Sequence, residues 1–323
     1  MESLIRGTRG VTKLGTGTLV LANANTVSGT SVVQEGTLRL GNQSALASSP
    51  VSVVSGGTLE IDPSLGMIGP RLILNGGTVA AAGATLTVDR DIGVRQFIVN
   101  AGRLAGSPGL EVTLGGTMIM SGSAVTGVDV ATLVVDESAT GGRVDLGVGR
   151  INVAAGGITA EALVLDILAG RSGTAGLWSG TTGITSSVAA AATASSRAIG
   201  WIDRGGGALS VAFSAPGDTN IDGQCDILDA ANLLTAGKYG LGAPANWSQG
   251  DFNYDGVVDI LDVGDFLATG LYNTGSYLPA GAAPRAAVPE PGSAMLAGLA
   301  GVAGAACLRR RRSRVAAEPG GRP

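Results

Sequence analysis

The chain has 323 residues, of which 54 are glycine, with 3% aromatic and 14% charged residues and a formal net charge of −4. Glycine at this density with so few charges points to turn-dense β structure rather than a helical enzyme, and the acidic balance leaves no basic surface for nucleic acid. Histidine is absent, which removes the commonest general base and zinc ligand, and with them Ser-His-Asp, Cys-His and His-metal chemistry.

From the amino terminus, Met1–Gly7 shows neither an apolar run nor a cleavage site, so no secretory leader is visible. A short unit then recurs. Gly17-Thr-Leu-Val-Leu21 returns in related form at Gly36, Gly57, Gly77 and Gly116, a spacing near 20 with one doubled interval that holds a degenerate copy at Gly102. A second β run often precedes the glycine, as in Val51–Val54, Leu72–Leu74, Phe97–Val99 and Val112–Leu114. Two short strands per 20 residues suit the stacked coils of a β-solenoid, in which neighbouring coils complete the core that one coil cannot bury alone. Alternation sends Leu19 and Leu21, Leu38 and Leu40, Leu59 and Ile61 to one face, and places Arg39 and Glu60 on adjacent rungs of the other. The competing arrangement is a series of antiparallel hairpins, because Asn75-Gly76 between β runs is a good two-residue turn.

The segment Lys13–Asn42 resembles the autotransporter-associated β-strand repeat, with residues 11–42 carrying the likeness. That resemblance implies a right-handed parallel β-helix at the cell surface of a bacterium, used as a passenger or stalk. A polysaccharide-cleaving β-helix is the alternative class, and its carboxylates would have to come from Asp89 with Asp91 or Asp136 with Glu137. Each pair is more simply a solvated turn, and no catalytic residue is assigned. Residues 141–214 remain rich in Gly, Ala, Ser and Thr. They contain an apolar run at Ala162–Leu168, a helix candidate beginning at Ser187, and two β runs, Ala198–Asp203 and Ala208–Phe213, that bracket Arg204-Gly-Gly-Gly207 as a hairpin.

The strongest chemical motif occurs twice, 33 residues apart. In the first copy Asp218, Asn220, Asp222, Asp226 and Asp229 fall at loop positions 1, 3, 5, 9 and 12, with Gly223 at position 6; in the second, Asp251, Asn253, Asp255, Asp259 and Asp262 do so, with Gly256. Short oxygen side chains on alternate residues can converge on one calcium ion, while position 7 (Gln224, Val257) adds a backbone carbonyl and the glycine permits the bend. Position 12 is Asp rather than Glu, so the helix after the loop must come closer to reach the ion. Each loop feeds a short helix ending at Gly237 or Gly270, with Ile227, Ala230, Ala231 and Leu234, or Ile260, Val263, Gly264 and Leu267, forming its apolar stripe. No helix precedes either loop. Cys225 lies inside the first loop and Cys307 in a distant apolar run, a poor disulfide pair.

A loop with only its exiting helix, present twice in about sixty residues, resembles a type I dockerin over 216–278. The resemblance implies two bound calcium ions, each held by one set of loop residues, and a cohesin-like protein partner read by the two pseudo-symmetric helix faces. Ile227-Leu228 and Ile260-Leu261 depart from the small or polar residues usual there, and are either core or contact residues. The module's large apolar side chains are Leu233, Leu234, Trp247, Phe252, Phe266 and Tyr272, too few for a self-sufficient core, so ion binding is expected to supply much of its folding free energy.

After a linker at 279–287, Val288-Pro289-Glu290-Pro291 precedes 17 apolar or small residues (292–308) and then Arg309, Arg310, Arg311 and Arg312. Seventeen residues are the short limit for a transmembrane helix, and the arginines orient it. This tripartite pattern resembles a PEP-CTERM sorting signal. It implies export, transient membrane anchoring by the C-terminal helix, cleavage by an exosortase-type membrane protease near the Pro-Glu-Pro, and delivery to the cell surface or extracellular matrix. Such signals accompany a leader peptide, so one is expected upstream of Met1. The expected architecture is mainly β: a β-solenoid over 1–165, a β connecting segment over 166–214, a small α dockerin-like module over 216–278, the linker, the sorting segment over 288–312 and a tail over 313–323. The expected role is structural or adhesive.

Overall fold

The computed structural model describes residues 4–121, 127–173, 176–192 and 196–279. Its amino-terminal part is a β-solenoid of about seven turns, built by parallel pairing between successive coils. Position-for-position stacking follows from the repeat. One column runs Leu19, Leu38, Leu59, Val79, and a second runs Val51, Leu72, Phe97, Met118, Val144, Ile184. All six members of the second column are fully buried, and each contributes roughly 1.5–3 kcal/mol by leaving water. A third face stacks Leu86, Leu110 and Leu133. The expected Arg39–Glu60 pair forms across adjacent coils at 2.6 Å.

From the second copy onward, the glycine that opens the repeat has a steric cause. A Cβ at Gly36, Gly57, Gly77 or Gly116 would lie 2.4, 2.2, 2.5 or 2.0 Å from a backbone oxygen of the coil before it. Only glycine lets the coils approach this closely. The hairpin alternative at Asn75-Gly76 is not adopted. Leu72–Ala80 is one strand, bulged around Gly76 (φ +95°) and paired in parallel on both sides. The Asn75 side chain joins a ladder instead, donating to Ser52 Oγ and accepting from Asn100, whose own oxygen accepts from Ser121.

The apolar run after residue 160 is helical. Helix α1 (Ala160–Arg171) inserts Leu163 and Ile167 into the core, and the short α2 (Ser187–Ala191) is capped by Ser186, whose hydroxyl oxygen accepts from Ala189 N at 3.0 Å. The Gly-rich hairpin forms as expected: Ala198–Asp203 and Leu209–Ser214 pair antiparallel, and the latter also pairs antiparallel with Arg150–Val153. This reversal ends the parallel stack and presents strand Ala198–Asp203 to the chain beyond Ser214. Among the described residues, no helix is long and apolar enough to cross a membrane. The span expected at 292–308 lies outside them, as do Val288, Pro289, Glu290, Pro291 and Arg309 to Arg312.

Candidate metal centre

The duplicated motif folds as two loop–helix units, with α3 (Ile227–Ala236) after the first loop and α4 (Ile260–Thr269) after the second. Both helices carry a capping box made from positions 9 and 12, Asp226 with Asp229 and Asp259 with Asp262, and both end at a left-handed glycine, Gly237 or Gly270. The loops share a framework of four hydrogen bonds. Position 12 accepts from the backbone N–H of position 2 at 2.8 Å in both copies. Position 1 accepts from the glycine N–H at position 6, at 2.9 Å to Asp218 and 3.0 Å to Asp251. Position 3 accepts from position 5, Asn220 from Asp222 N and Asn253 from Asp255 N, and position 5 accepts from the N–H of position 7, Gln224 or Val257. Position 4 is left-handed in both, Ile221 at φ +52° and Tyr254 at +65°, as is the glycine two residues on.

The two units interlock. The position-8 carbonyl of the first loop, Cys225 O, accepts from Asn273 N beyond α4, and its equivalent Val258 O accepts from Gly240 N beyond α3. Each loop is therefore braced by the chain that leaves the other repeat's helix.

Electrostatically the loops are crowded with like charge. Burial, and then the neighbouring Asp229, push the Asp218 carboxyl up to about 8. Burial first also raises Asp229 to about 6, Asp251 to about 6, and Asp222 above its ordinary value. Asp251 Oδ1 is buried with no hydrogen-bond partner, while Oδ2 of the same carboxylate holds Gly256 N. One engaged oxygen and one idle buried oxygen form a donor that suits a cation, and the donor set is all oxygen, which suits a hard one. The residues present thus fit calcium. Among the described residues, however, no group of three or more His, Cys, Asp or Glu side chains stands in an arrangement that could hold a metal as it is.

The helix faces differ from the expected ones. Ile227 and Ile260 are exposed, Leu234 is 82% exposed and Leu267 68%. Asp229 with Leu233, and Asp262 with Phe266, turn inward instead. The cause is position 12. Its carboxylate must reach back into the loop, which fixes the rotation of the first helical turn and brings the residue four positions on inward as well. The stripe containing Ile227, Leu228 and Leu234, and its repeat Ile260, Leu261 and Leu267, then faces solvent. The Ile-Leu pairs are therefore surface residues, and Tyr239 and Tyr272 extend the same exposed set.

The module is not tethered loosely. Trp247 and Phe252 are buried and belong to the same core as the solenoid. Trp247 Nε1 donates to Asp218 O at 2.7 Å while its ring lies over Gly200 of the terminal hairpin, and Tyr254 donates to Ile199 O at 2.6 Å. Arg150 donates to Ile221 O, and Tyr277 donates to the Asp218 carboxylate. Position 4 of each loop, Ile221 and Tyr254, is thus a point of attachment to the end of the solenoid. Sequence reasoning assigned these two residues no role, and their place at equal offsets in the duplication is the signal that would have found them.

Of the four carboxylates considered for catalysis, Asp89 is buried, yet bonds from Asp91 N, Ile92 N and Thr113 Oγ1 outweigh that burial and hold it below its ordinary value. Asp136 accepts from Ser138 N and Oγ. Both are turn-forming carboxylates.

Fold and site together define a parallel β-solenoid closed by a duplicated acidic loop–helix module. Comparison with known proteins adds two family matches: residues 11–40 match the passenger-associated-transport-repeat, and residues 287–312 match the PEP-CTERM protein-sorting motif. The chain is also 32% identical over 164 residues to the "Adhesin BmaC autotransporter" of Brucella suis biovar 1 (strain 1330), an overlap covering 48% of this chain and 4% of that protein. No solved structure matches. The repeat, the sorting motif and the adhesin likeness mark an exported, surface-associated protein that carries a signal for exosortase processing.

Proposed function

We propose that the chain is an adhesin-like surface stalk whose end is closed by a dockerin-like module that binds two calcium ions. Asp218, Asn220, Asp222, Asp226 and Asp229, with the Gln224 carbonyl, would hold one ion; Asp251, Asn253, Asp255, Asp259 and Asp262, with the Val257 carbonyl, would hold the other. Calcium supplies charge neutralisation there and no reaction. The observation that carries this reading is that four loop hydrogen bonds recur at the same positions in both copies, so that one backbone cradle is present twice. The outward apolar residues of α3 and α4 form two equivalent surfaces for a cohesin-like protein partner, and the chain is anchored transiently through the segment at 292–308 before exosortase cleavage. Its role in this reading is structural, not catalytic, because one carboxylate of each candidate pair, Asp89 and Asp136, is engaged in a turn.

The test is a calcium titration of the whole chain by calorimetry, with near-ultraviolet circular dichroism followed in parallel. Two sites are expected, with a change in the tryptophan signal as Trp247 tightens on Asp218 O. No heat and no spectral change at millimolar calcium would overturn the reading.

A further inference from the structure

A second acidic site lies away from the calcium loops, on the flank of the solenoid. The strand Leu133–Val135 is the last of its three-stranded sheet and pairs on one side with Gly109–Val112. Between this strand and α1 is a pocket of about 320 Å³. Asp166 of α1 lines it, only 4% exposed, and among the described residues its carboxylate has no hydrogen-bond or ion-pair partner. Glu137 stands exposed among the other lining residues, and no lysine or arginine lines the pocket. The walls are aliphatic, from Leu133, Ile158 and Leu165, and Thr159 adds a hydroxyl.

We propose that this pocket binds a primary ammonium group carried on an aliphatic stem, the end of a lysine side chain. A buried carboxylate without a partner is costly and is relieved by a cation placed against it. The apolar walls suit the methylenes of the stem, which lysine side chains lay along hydrocarbon while the charge reaches a polar end. The compact ammonium has three divergent donors, and Asp166, Glu137 and Thr159 offer oxygens from separate parts of the wall. Burial, then the negative charge of Glu137, push the Asp166 carboxyl up to about 7; a bound cation opposes both effects.

The test is a titration of the whole chain, at constant calcium, with Nα-acetyl-lysine N-methylamide, with cadaverine and with the uncharged norleucine analogue, followed by amide chemical shifts. Saturable shifts confined to residues 133–137 and 158–166 are expected with the two ammonium ligands and not with norleucine. Tighter binding of the lysine derivative would mark a protein partner as the source, and tighter binding of cadaverine a free polyamine. D166N should weaken binding at least tenfold and E137Q, at an exposed side chain, several-fold. Equal shifts with norleucine, no saturation, or displacement of the ligand by added calcium would overturn the proposal.

Discussion

Replacing Gly200 by alanine tests whether the module is part of the solenoid's closure. Gly200 sits in the middle of the terminal strand, with ordinary backbone geometry, so the substitution introduces no dihedral strain. In a strand it would otherwise gain a few tenths to 1 kcal/mol from the lost flexibility of glycine. Here the added Cβ would stand 2.5 Å from Cε2 and Nε1 of Trp247 and 2.9 Å from Cγ2 of Ile221. Both neighbours belong to the module, and Trp247 is fully buried with no room to retreat. Overpacking of this kind costs about 1–3 kcal/mol, and loss of the bond from Trp247 to Asp218 O adds about 1. Urea unfolding followed by tryptophan fluorescence should show a destabilisation of roughly 2–4 kcal/mol. Because Asp218 is position 1 of the first loop, affinity at one calcium site should fall about tenfold while the other changes less, a difference of about 1.4 kcal/mol. An unchanged midpoint with unchanged calcium binding would refute the docked arrangement.

Other perturbations probe the remaining parts. Leu59→Ala, in a fully buried column position, should cost about 2–5 kcal/mol in the same assay. Gly264 lies inside α4 with open space where a Cβ would stand, so Gly264→Ala should raise stability by about 0.5–1 kcal/mol. The double change Leu234→Glu and Leu267→Glu alters two exposed side chains and should move the midpoint by less than about 0.5 kcal/mol, while abolishing capture of a cohesin-like partner in a pull-down. Asp166 titrates near 7 when folded against 3.8 in its ordinary state. The folded chain therefore keeps a proton that the unfolded chain has lost. The associated stability is fully present below pH 3.8 and is lost as pH rises through about 7. D166N should remove that decline, leaving the variant about 2–4 kcal/mol more stable than the parent at pH 8, as read from unfolding midpoints across pH.

The solenoid was legible because its repeat is enforced twice, by the leucine columns and by a glycine where successive coils touch. Asn75-Gly76 misled as a turn signal because local dipeptide chemistry carries no information about the coils above and below, and those coils fix the strand as continuous. The run Ala162–Leu168 offered an apolar stretch without a period, because the helix's one buried face, Leu163, Asp166, Ile167 and Gly170, includes a carboxylate and a glycine while Leu165 faces solvent. The duplicated acidic loops were legible as loops residue by residue, since short oxygen side chains at alternating positions around a glycine favour a tight turn that feeds a helix. Which way their helices face was not. Apolar spacing alone assigned Ile227 and Leu234 to the core, but the loop geometry decides, because Asp229 must turn inward and the apolar residues a turn away must then turn out.

That rotation separates two tasks within one short helix. The inward side, Asp229 with Leu233 and Asp262 with Phe266, completes the loop and packs the module, with Leu233 against Gly250 and Phe266 against Gly217. The outward side keeps an apolar stripe in water, which is unfavourable unless something covers it. A solenoid needs its terminal coil covered, since the last coil has no neighbour to complete its core. In this chain the covering element is the duplicated acidic loop–helix module, for which calcium binding is proposed, attached through Ile221 and Tyr254. Any free energy from ion binding therefore acts on the terminal coil as well as on the loops. Stalk stability and display of the outward stripe should rise together with calcium, and separate only when Gly200, Ile221 or Tyr254 is changed.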